Sequence, residues 1–217
     1  MVLSLGPTPL CDDYRRQSVE REWFPLNLLQ CGECGHVQID TVVDKDEIYI
    51  DYIYQTSSSP GLNSHFYEYA NQVQARLNLD ANSLVVDVGS NDGVLLENFR
   101  RGGHRVVGVE PAIRASEASE LKGIPTFRAF LTSEIVEEIV KNYGEVDLVT
   151  VNNLFANVLD LNLFVRSCKN LLGSEGVLVI ESSYLFDMIE GNVVDFVYHE
   201  HLSYFSLIPL IRFFQKH

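Results

Sequence analysis

The chain has 217 residues, 46% of them apolar, and 30 acidic against 16 basic side chains give it a net charge of −14. That length supports one good hydrophobic core plus a small appendage, and the acidity argues against a nucleic-acid backbone as partner. No apolar stretch approaches the roughly 18 residues of a membrane span. The N-terminus lacks the basic start and long apolar region of a secretion signal, and four cysteines, two of them three positions apart, fit a reducing compartment, so the expected setting is cytoplasmic.

Residues 1–60 read as a small irregular N-terminal lobe, broken by Pro7, Pro9, Pro25 and Pro60, with a Cys31-Gly32-Glu33-Cys34-Gly35 knuckle and a Ser-rich run at 56–59. C-x-x-C followed by Gly is half of a structural zinc site, because two thiolates on a tight turn share one metal. Zinc normally takes four ligands, so Cys31 and Cys34 are candidate ligands of an incomplete site. His36 follows the knuckle, although a turn histidine is as readily solvated. Next, Leu62, Phe66, Tyr69, Ala70, Val73 and Leu77 fall at helical spacing.

Residues 61–217 read as one domain in which strands alternate with helices. Strands are expected at 84–88, 105–109, 124–128, 146–151 and 176–182, and helices near 93–101, 112–122, 132–142, 159–171 and 184–190. Such alternation implies an α/β fold with a mainly parallel, doubly wound sheet, binding its ligand beyond the carboxyl ends of the strands.

The first strand of that series carries the most informative motif. Val85-Val86-Asp87-Val88 runs into Gly89-Ser90-Asn91-Asp92-Gly93, and 17 residues past Gly93 a second apolar run ends in Glu110-Pro111. Glycines permit φ > 0 and close backbone approach to a ligand, a helix start offers N–H groups, and an acid after the second strand can accept both ribose hydroxyls. A dinucleotide fingerprint spaces its glycines G-x-G-x-x-G. Here the step from Gly89 to Gly93 is four residues, which suits the D-x-G-x-x-x-G turn of S-adenosylmethionine (SAM) enzymes better than NAD. Asn91 is a workable glycine substitute, since Asn tolerates the left-handed region.

Two later strand ends add candidates. Asn152, Asn153 and Asn157 follow the 146–151 strand, where uncharged amides suit a cofactor carboxylate or a substrate hydroxyl; an N-cap for the next helix is the plainer role. Glu181 ends the next strand, facing substrate or serving an ion pair. Finally, Tyr198-His199-Glu200-His201-Leu202-Ser203-Tyr204-Phe205 packs two histidines, an acid and two phenols into an apolar neighbourhood. His takes a proton near neutral pH, and a carboxylate beside it can orient the ring and stabilise its cation. As a metal motif, His-Glu-His lacks an evident third ligand.

Taken in order, these pieces resemble the sugar C-methyltransferases that methylate C3 of nucleotide-linked 4-keto-deoxysugars in bacterial deoxysugar biosynthesis. The resemblance rests on Ser4-Leu5-Gly6-Pro7-Thr8-Pro9-Leu10, Phe24-Pro25-Leu26-Asn27-Leu28 leading into the knuckle, Tyr52-Ile53-Tyr54, His65-Phe66, the Gly89–Gly93 turn, Gly108-Val109-Glu110-Pro111, Asn152-Asn153-Leu154-Phe155-Ala156 and, most specifically, Tyr198 to Phe205. It implies a Rossmann-like class I SAM-dependent methyltransferase fold with a zinc-ribbon-like N-terminal lobe. Relative to that family pattern, an upstream C-x-x-C and a C-terminal domain are lacking, so the chain reads as truncated at both ends, and Asn157 stands where the family tends to have His.

The resemblance also implies roles. His201 would be general base, Glu200 its orienter and Tyr198 a donor to the enolate oxygen. Asp87, Gly89, Ser90, Asn91, Gly93, Glu110, Pro111 and Asn152, with Tyr52 and Tyr54 from the N-terminal side, would hold SAM. Asn153, Asn157 and Glu181 would meet the sugar. The alternatives are a silent remnant or binding module that keeps the SAM fold, and an NAD-dependent sugar oxidoreductase.

Overall fold

The computed structural model describes residues 1–11, 20–49 and 52–217. In chain order its elements are β1 (Leu3–Thr8), β2 (Phe24–Gln30), β3 (Val37–Ile39), α1 (Lys45–Tyr49), α2 (Pro60–Leu77), β4 (Leu84–Val88), α3 (Val94–Arg101), β5 (Arg105–Val109) and α4 (Ile113–Leu121). There follow β6 (Thr126–Phe127), α5 (Ser133–Tyr143), β7 (Val146–Asn152), α6 (Leu161–Leu171), β8 (Leu172–Glu181), α7 (Leu185–Glu190), β9 (Ser203–Tyr204) and α8 (Leu207–Phe214). They pack as two units, one of Met1–Lys45, Asn153–Leu161 and Glu181–His217, the other of Asp46–Asn152 and Asn162–Ile180.

The larger unit carries a five-stranded sheet in the order β6-β5-β4-β7-β8. β4 lies parallel to both β5 and β7, and β5 lies parallel to β6. All five residues of β4 are buried, as expected for a strand covered on both faces and therefore written as a near-continuous apolar run. One core layer joins Phe66 and Ala70 of α2 to Leu95, Leu96 and Phe99 of α3, over Val85, Val106 and Leu148 of the sheet.

Local chemistry sets the helix limits. Ser59 caps α2 by accepting from the Leu62 N–H at 3.4 Å, Pro60 occupies the first turn, and Asn78 ends the helix at φ 52°. Thr132 caps α5 in the same way, accepting from the Ile135 N–H. The expected helices and strands of residues 84–190 are present within a few residues, with two adjustments: β6 shortens to two residues, and β8 starts four residues earlier than expected.

The smaller unit differs from the irregular lobe expected of the first 60 residues. Its antiparallel sheet runs β1-β2-β3-β9, so a strand from the far end of the chain completes it. Leu26, Leu28, Val37, Ile39, Val197 and Tyr204 form its core with Met188 of α7. Pro25 and Pro7 do not break this sheet, because they pair opposite each other at one end of the β1–β2 ladder, with the register shifting between Ser4 and Pro7. Among the described residues, no helix is long and apolar enough to cross a membrane.

Gly93, which caps α3, is the most constrained turn position. It sits at φ 76°, and a Cβ there would lie 2.6 Å from Ser119 Oγ and 2.7 Å from Ile124 Cδ1. Gly93→Ala therefore combines left-handed strain with overpacking, and chemical denaturation should show a loss of about 1–3 kcal/mol; an unchanged midpoint would contradict this packing.

Candidate functional site

In the larger unit, the turn after β4 is organised around one buried acid. The amides of Gly89 and Ser90 donate to Val109 O at 2.8 and 3.2 Å, and the Gly93 amide to Ser90 O at 3.0 Å. Asn91, at φ 47°, donates its backbone N–H to Glu110 Oε2 at 2.9 Å, while Ala112 N–H reaches Oε1 at 2.8 Å. The amides of Gly89, Ser90, Asn91 and Gly93 are thus bonded inside the turn. Burial raises the Glu110 pKa, and its bonds to the Ala112 and Asn91 amides pull it back. A carboxylate oxygen has more than one acceptor position, so both oxygens keep capacity for ribose hydroxyls. Pro111 follows directly and leads to Ala112, the N-cap of α4.

Asp87, two residues before Gly89, accepts from Thr150 Oγ1 of the neighbouring β7 at 2.7 Å. Burial pushes its pKa up to about 7, the Thr150 hydroxyl lowers it, and the nearby charge of Glu110 raises it again. Asn152 lies two residues beyond Thr150. Its Oδ1 and Nδ2 are both buried without a hydrogen-bond partner, as is Ser90 Oγ. An orphaned buried polar group costs about 1–3 kcal/mol, so such groups mark where a polar ligand is expected.

Tyr52 and Tyr54 also belong to this unit, their rings 6.3 Å apart, and the Tyr54 carbonyl accepts from Asn91 Nδ2 at 3.0 Å. The residues fit SAM: two acids, an unpartnered amide and an unpartnered hydroxyl ring a strand-to-helix turn. Of the sequence candidates, Asp87, Gly89, Ser90, Asn91, Gly93, Glu110, Pro111, Asn152, Tyr52 and Tyr54 all fall in this unit. Asp92, Lys122, Thr56 and Ser57, which the sequence did not single out, join them. Lys122 Nζ bonds the Asp92 carbonyl at 2.6 Å and lies 3.4 Å from its carboxylate, and Ser57 N–H donates to Asp92 Oδ2 at 3.2 Å.

In the smaller unit, Tyr198 to His201 form a turn closed by the His201 N–H on Tyr198 O. His201 Nδ1 lies 3.0 Å from the Phe196 carbonyl, which can only accept, so this nitrogen carries the proton. Nε2 is then the lone-pair nitrogen and accepts from the Tyr198 hydroxyl at 2.9 Å. The Phe196 carbonyl thus orients the ring at Nδ1, and Glu200 is buried in the same turn. Burial lowers the His201 pKa and the Phe196 bond partly restores it, so at neutral pH the imidazole is uncharged. His199 donates Nε2–H to Pro25 O at 3.1 Å and meets Phe24 edge-on, which ties this turn to β2.

The substrate candidates are placed nearby in sequence but differently in structure. Asn153 is exposed at φ 54°, with its N–H on Glu181 O at 2.9 Å, while Asn157 closes a 3₁₀ turn and is half-buried.

Cys31 and Cys34 stand exposed on a turn held by Gly35 N–H to Cys31 O. The Cys34 and Glu33 amides, with the Cys34 thiol, hold Cys31 below its ordinary pKa. Among the described residues, no group of three or more His, Cys, Asp and Glu gathers. The two thiolates are half a zinc shell, and His36, the further donor considered, has its Nε2 3.1 Å from Ser203 Oγ.

Fold and turn together define a SAM-dependent methyltransferase domain. A methyltransferase-domain family model matches residues 63–217, and the chain belongs to that family. A second model, described as a zinc binding domain, matches residues 1–49. The whole chain aligns at 33% identity over 223 residues with the C-methyltransferase NovU of Streptomyces niveus, of which it spans 52%. A ubiquinone biosynthesis O-methyltransferase of Bordetella avium is 28% identical over 51% of this chain and 49% of that protein. The chain thus spans about half the length of these relatives.

Among solved structures, a SAM-dependent methyltransferase from Thermotoga maritima matches with a TM-score of 0.50 at 15% identity, over 71% of this chain and 72% of that one. The plantazolicin methyltransferase BpumL matches with a TM-score of 0.53 at 12% identity, over 73% and 63%. Both show the fold.

The raised Asp87 pKa has a sign that can be tested. A folded value near 7 against 3.8 unfolded means that its contribution to stability is complete below about 3.8 and is lost as pH rises through 7. Asp87→Asn should therefore raise the thermal midpoint by a few degrees at pH 8, by less at pH 5, and change it little below about 3.8. Equal shifts across that range would remove the buried-carboxylate interpretation.

Proposed function

We propose that this chain transfers a methyl group from SAM to C3 of a nucleotide-linked 4-keto-deoxysugar. The hydrogen-bonded pair of Tyr198 and His201 carries this reading, because a neutral imidazole of fixed tautomer joined to a phenol is the apparatus for moving a proton at carbon. The likeness to a C-methyltransferase over the whole chain supports it. A ketone at C4 acidifies the C3–H, so a base of modest strength can form the enolate.

At rest the Tyr198 hydroxyl occupies the His201 lone pair. When the substrate's C4 oxygen takes over the Tyr198 hydrogen bond, Nε2 is released to accept the C3 proton, and Tyr198 then stabilises the enolate oxygen it faces. The Phe196 carbonyl keeps Nδ1 protonated, so the proton can arrive only at Nε2. Glu200 remains in the proposed set as the carboxylate of that turn, and Asn153, Asn157 and Glu181 as sugar contacts.

Bound SAM supplies an electrophilic methyl for the enolate carbon. On the protein side, Glu110 accepts the ribose hydroxyls, Asn152 satisfies its amide on the amino-acid end, and Asp87, Gly89, Ser90, Gly93 and Pro111 shape the turn that fixes both. The exposed thiols of Cys31 and Cys34, three positions apart, suit a cytoplasmic setting.

The test is incubation of the chain with a nucleotide-linked 4-keto-deoxysugar in D2O. C3 deuteration should occur without methyl donor, and a methylated product should form with SAM. His201→Gln should lower both rates by about 10²–10⁴, and Tyr198→Phe should slow them less. Because only the neutral ring accepts a proton, kcat/KM should hold from pH 8 through the ordinary histidine pKa and fall only on the acid side of it, as the lowered His201 pKa requires. Undiminished deuteration in His201→Gln would sink the assignment.

A further inference from the structure

Asn91 is the most heavily bonded residue of the cofactor turn, and its side chain points away from the acid its backbone serves. Its Oδ1 accepts from the Thr56 N–H at 2.9 Å and from Thr56 Oγ1 at 3.3 Å, while its Nδ2 donates to the Tyr54 carbonyl at 3.0 Å. One residue on, Asp92 accepts from the Ser57 N–H at 3.2 Å. Thr56 and Asp92 are both buried. The Tyr54–Ser57 stretch is thus pinned to the turn across about 35 residues of sequence, and it leads through Ser59 into α2, which packs on α3.

We propose that Asn91 and Asp92 act as positioning residues, a clamp that holds the Tyr54–Ser57 strap on the glycine turn and so tightens binding of the adenosyl cofactor. This rests on the cofactor reading above and changes the part given to Asn91, whose side chain serves the strap instead of the ligand. The carboxamide accepts from Thr56 through its oxygen and donates to Tyr54 through its nitrogen. The backbone N–H of the same residue fixes the Glu110 carboxylate, so strap and ribose acceptor are aligned by a single side group and its own amide. With the strap already ordered, ligand binding does not have to order it.

The experiment compares the full chain with two variants that release the strap from opposite sides. Asn91→Gly keeps the left-handed turn and removes the carboxamide. Thr56→Pro removes the N–H donor and leaves Asn91 in place. Gln55 already has the extended backbone (φ −124°, ψ 127°) that a following proline requires, and Thr56 opens a 3₁₀ turn, where proline is tolerated. Hydrogen exchange at the Ser57 amide reports the strap, and calorimetric titration with S-adenosylhomocysteine reports the site.

Both variants should speed Ser57 exchange and weaken S-adenosylhomocysteine binding about tenfold or more, as the loss of two or three hydrogen bonds implies. Faster exchange with undiminished binding overturns the clamp and leaves the cofactor reading standing. Unchanged exchange in Asn91→Gly also overturns it. A native chain that binds neither S-adenosylhomocysteine nor SAM overturns the cofactor reading and the clamp together.

Discussion

A carboxylate withdrawn from water has to be held by something, and in the larger unit the shape of the turn follows from holding Glu110. Two backbone N–H groups, from Asn91 and Ala112, replace the solvent it has lost. Presenting the first requires Asn91 in the left-handed region, and restarting a helix immediately afterwards requires Gly93 at φ 76° with no side chain against Ser119 and Ile124. A second acid, Asp87, lies near enough for its proton affinity to rise with the charge of Glu110. Two acids sharing a buried turn repel one another, and a ligand bearing positive charge, as a sulfonium with an ammonium group does, relieves that repulsion.

The smaller unit fixes an imidazole. The ring is held at both nitrogens, by a backbone carbonyl at Nδ1 and a phenol at Nε2. The turn bearing it is anchored by His199 on the Pro25 carbonyl and by β9 on β3. Burial lowers the pKa of this imidazole, and the Phe196 carbonyl, which fixes the tautomer, restores it only in part.

What could be read from the chain follows the range of the interactions. The alternation from residue 84 to 190 was legible because β4 and β5 are Val-rich runs between turn residues, α3, α5 and α6 carry periodic apolar faces and Thr132 caps α5, all local signals. The two-residue β9 was not, since its strand character comes entirely from β3, more than 160 residues away. β2 did offer a signal, the alternating burial of Leu26 and Leu28, which Pro25 and the neighbouring knuckle obscured. In the candidate site the residue types were legible and their partners were not: Thr150 for Asp87, Phe196 for His201 and Thr56 for Asn91 all depend on folding.

The left-handed positions draw this distinction most sharply. Every non-glycine residue with positive φ among the described residues is an asparagine: Asn78, Asn91, Asn153 and Asn192. Asn78 ends a helix, where tolerance of that backbone region is sufficient reason for the residue. Glycine would meet the same backbone demand at position 91 with less strain, so conformation alone does not select asparagine there. The three bonds its side chain makes to Tyr54 and Thr56 supply the missing reason. A residue that reads in the sequence as an imperfect glycine joins, in the folded chain, the turn, the buried acid and the strap.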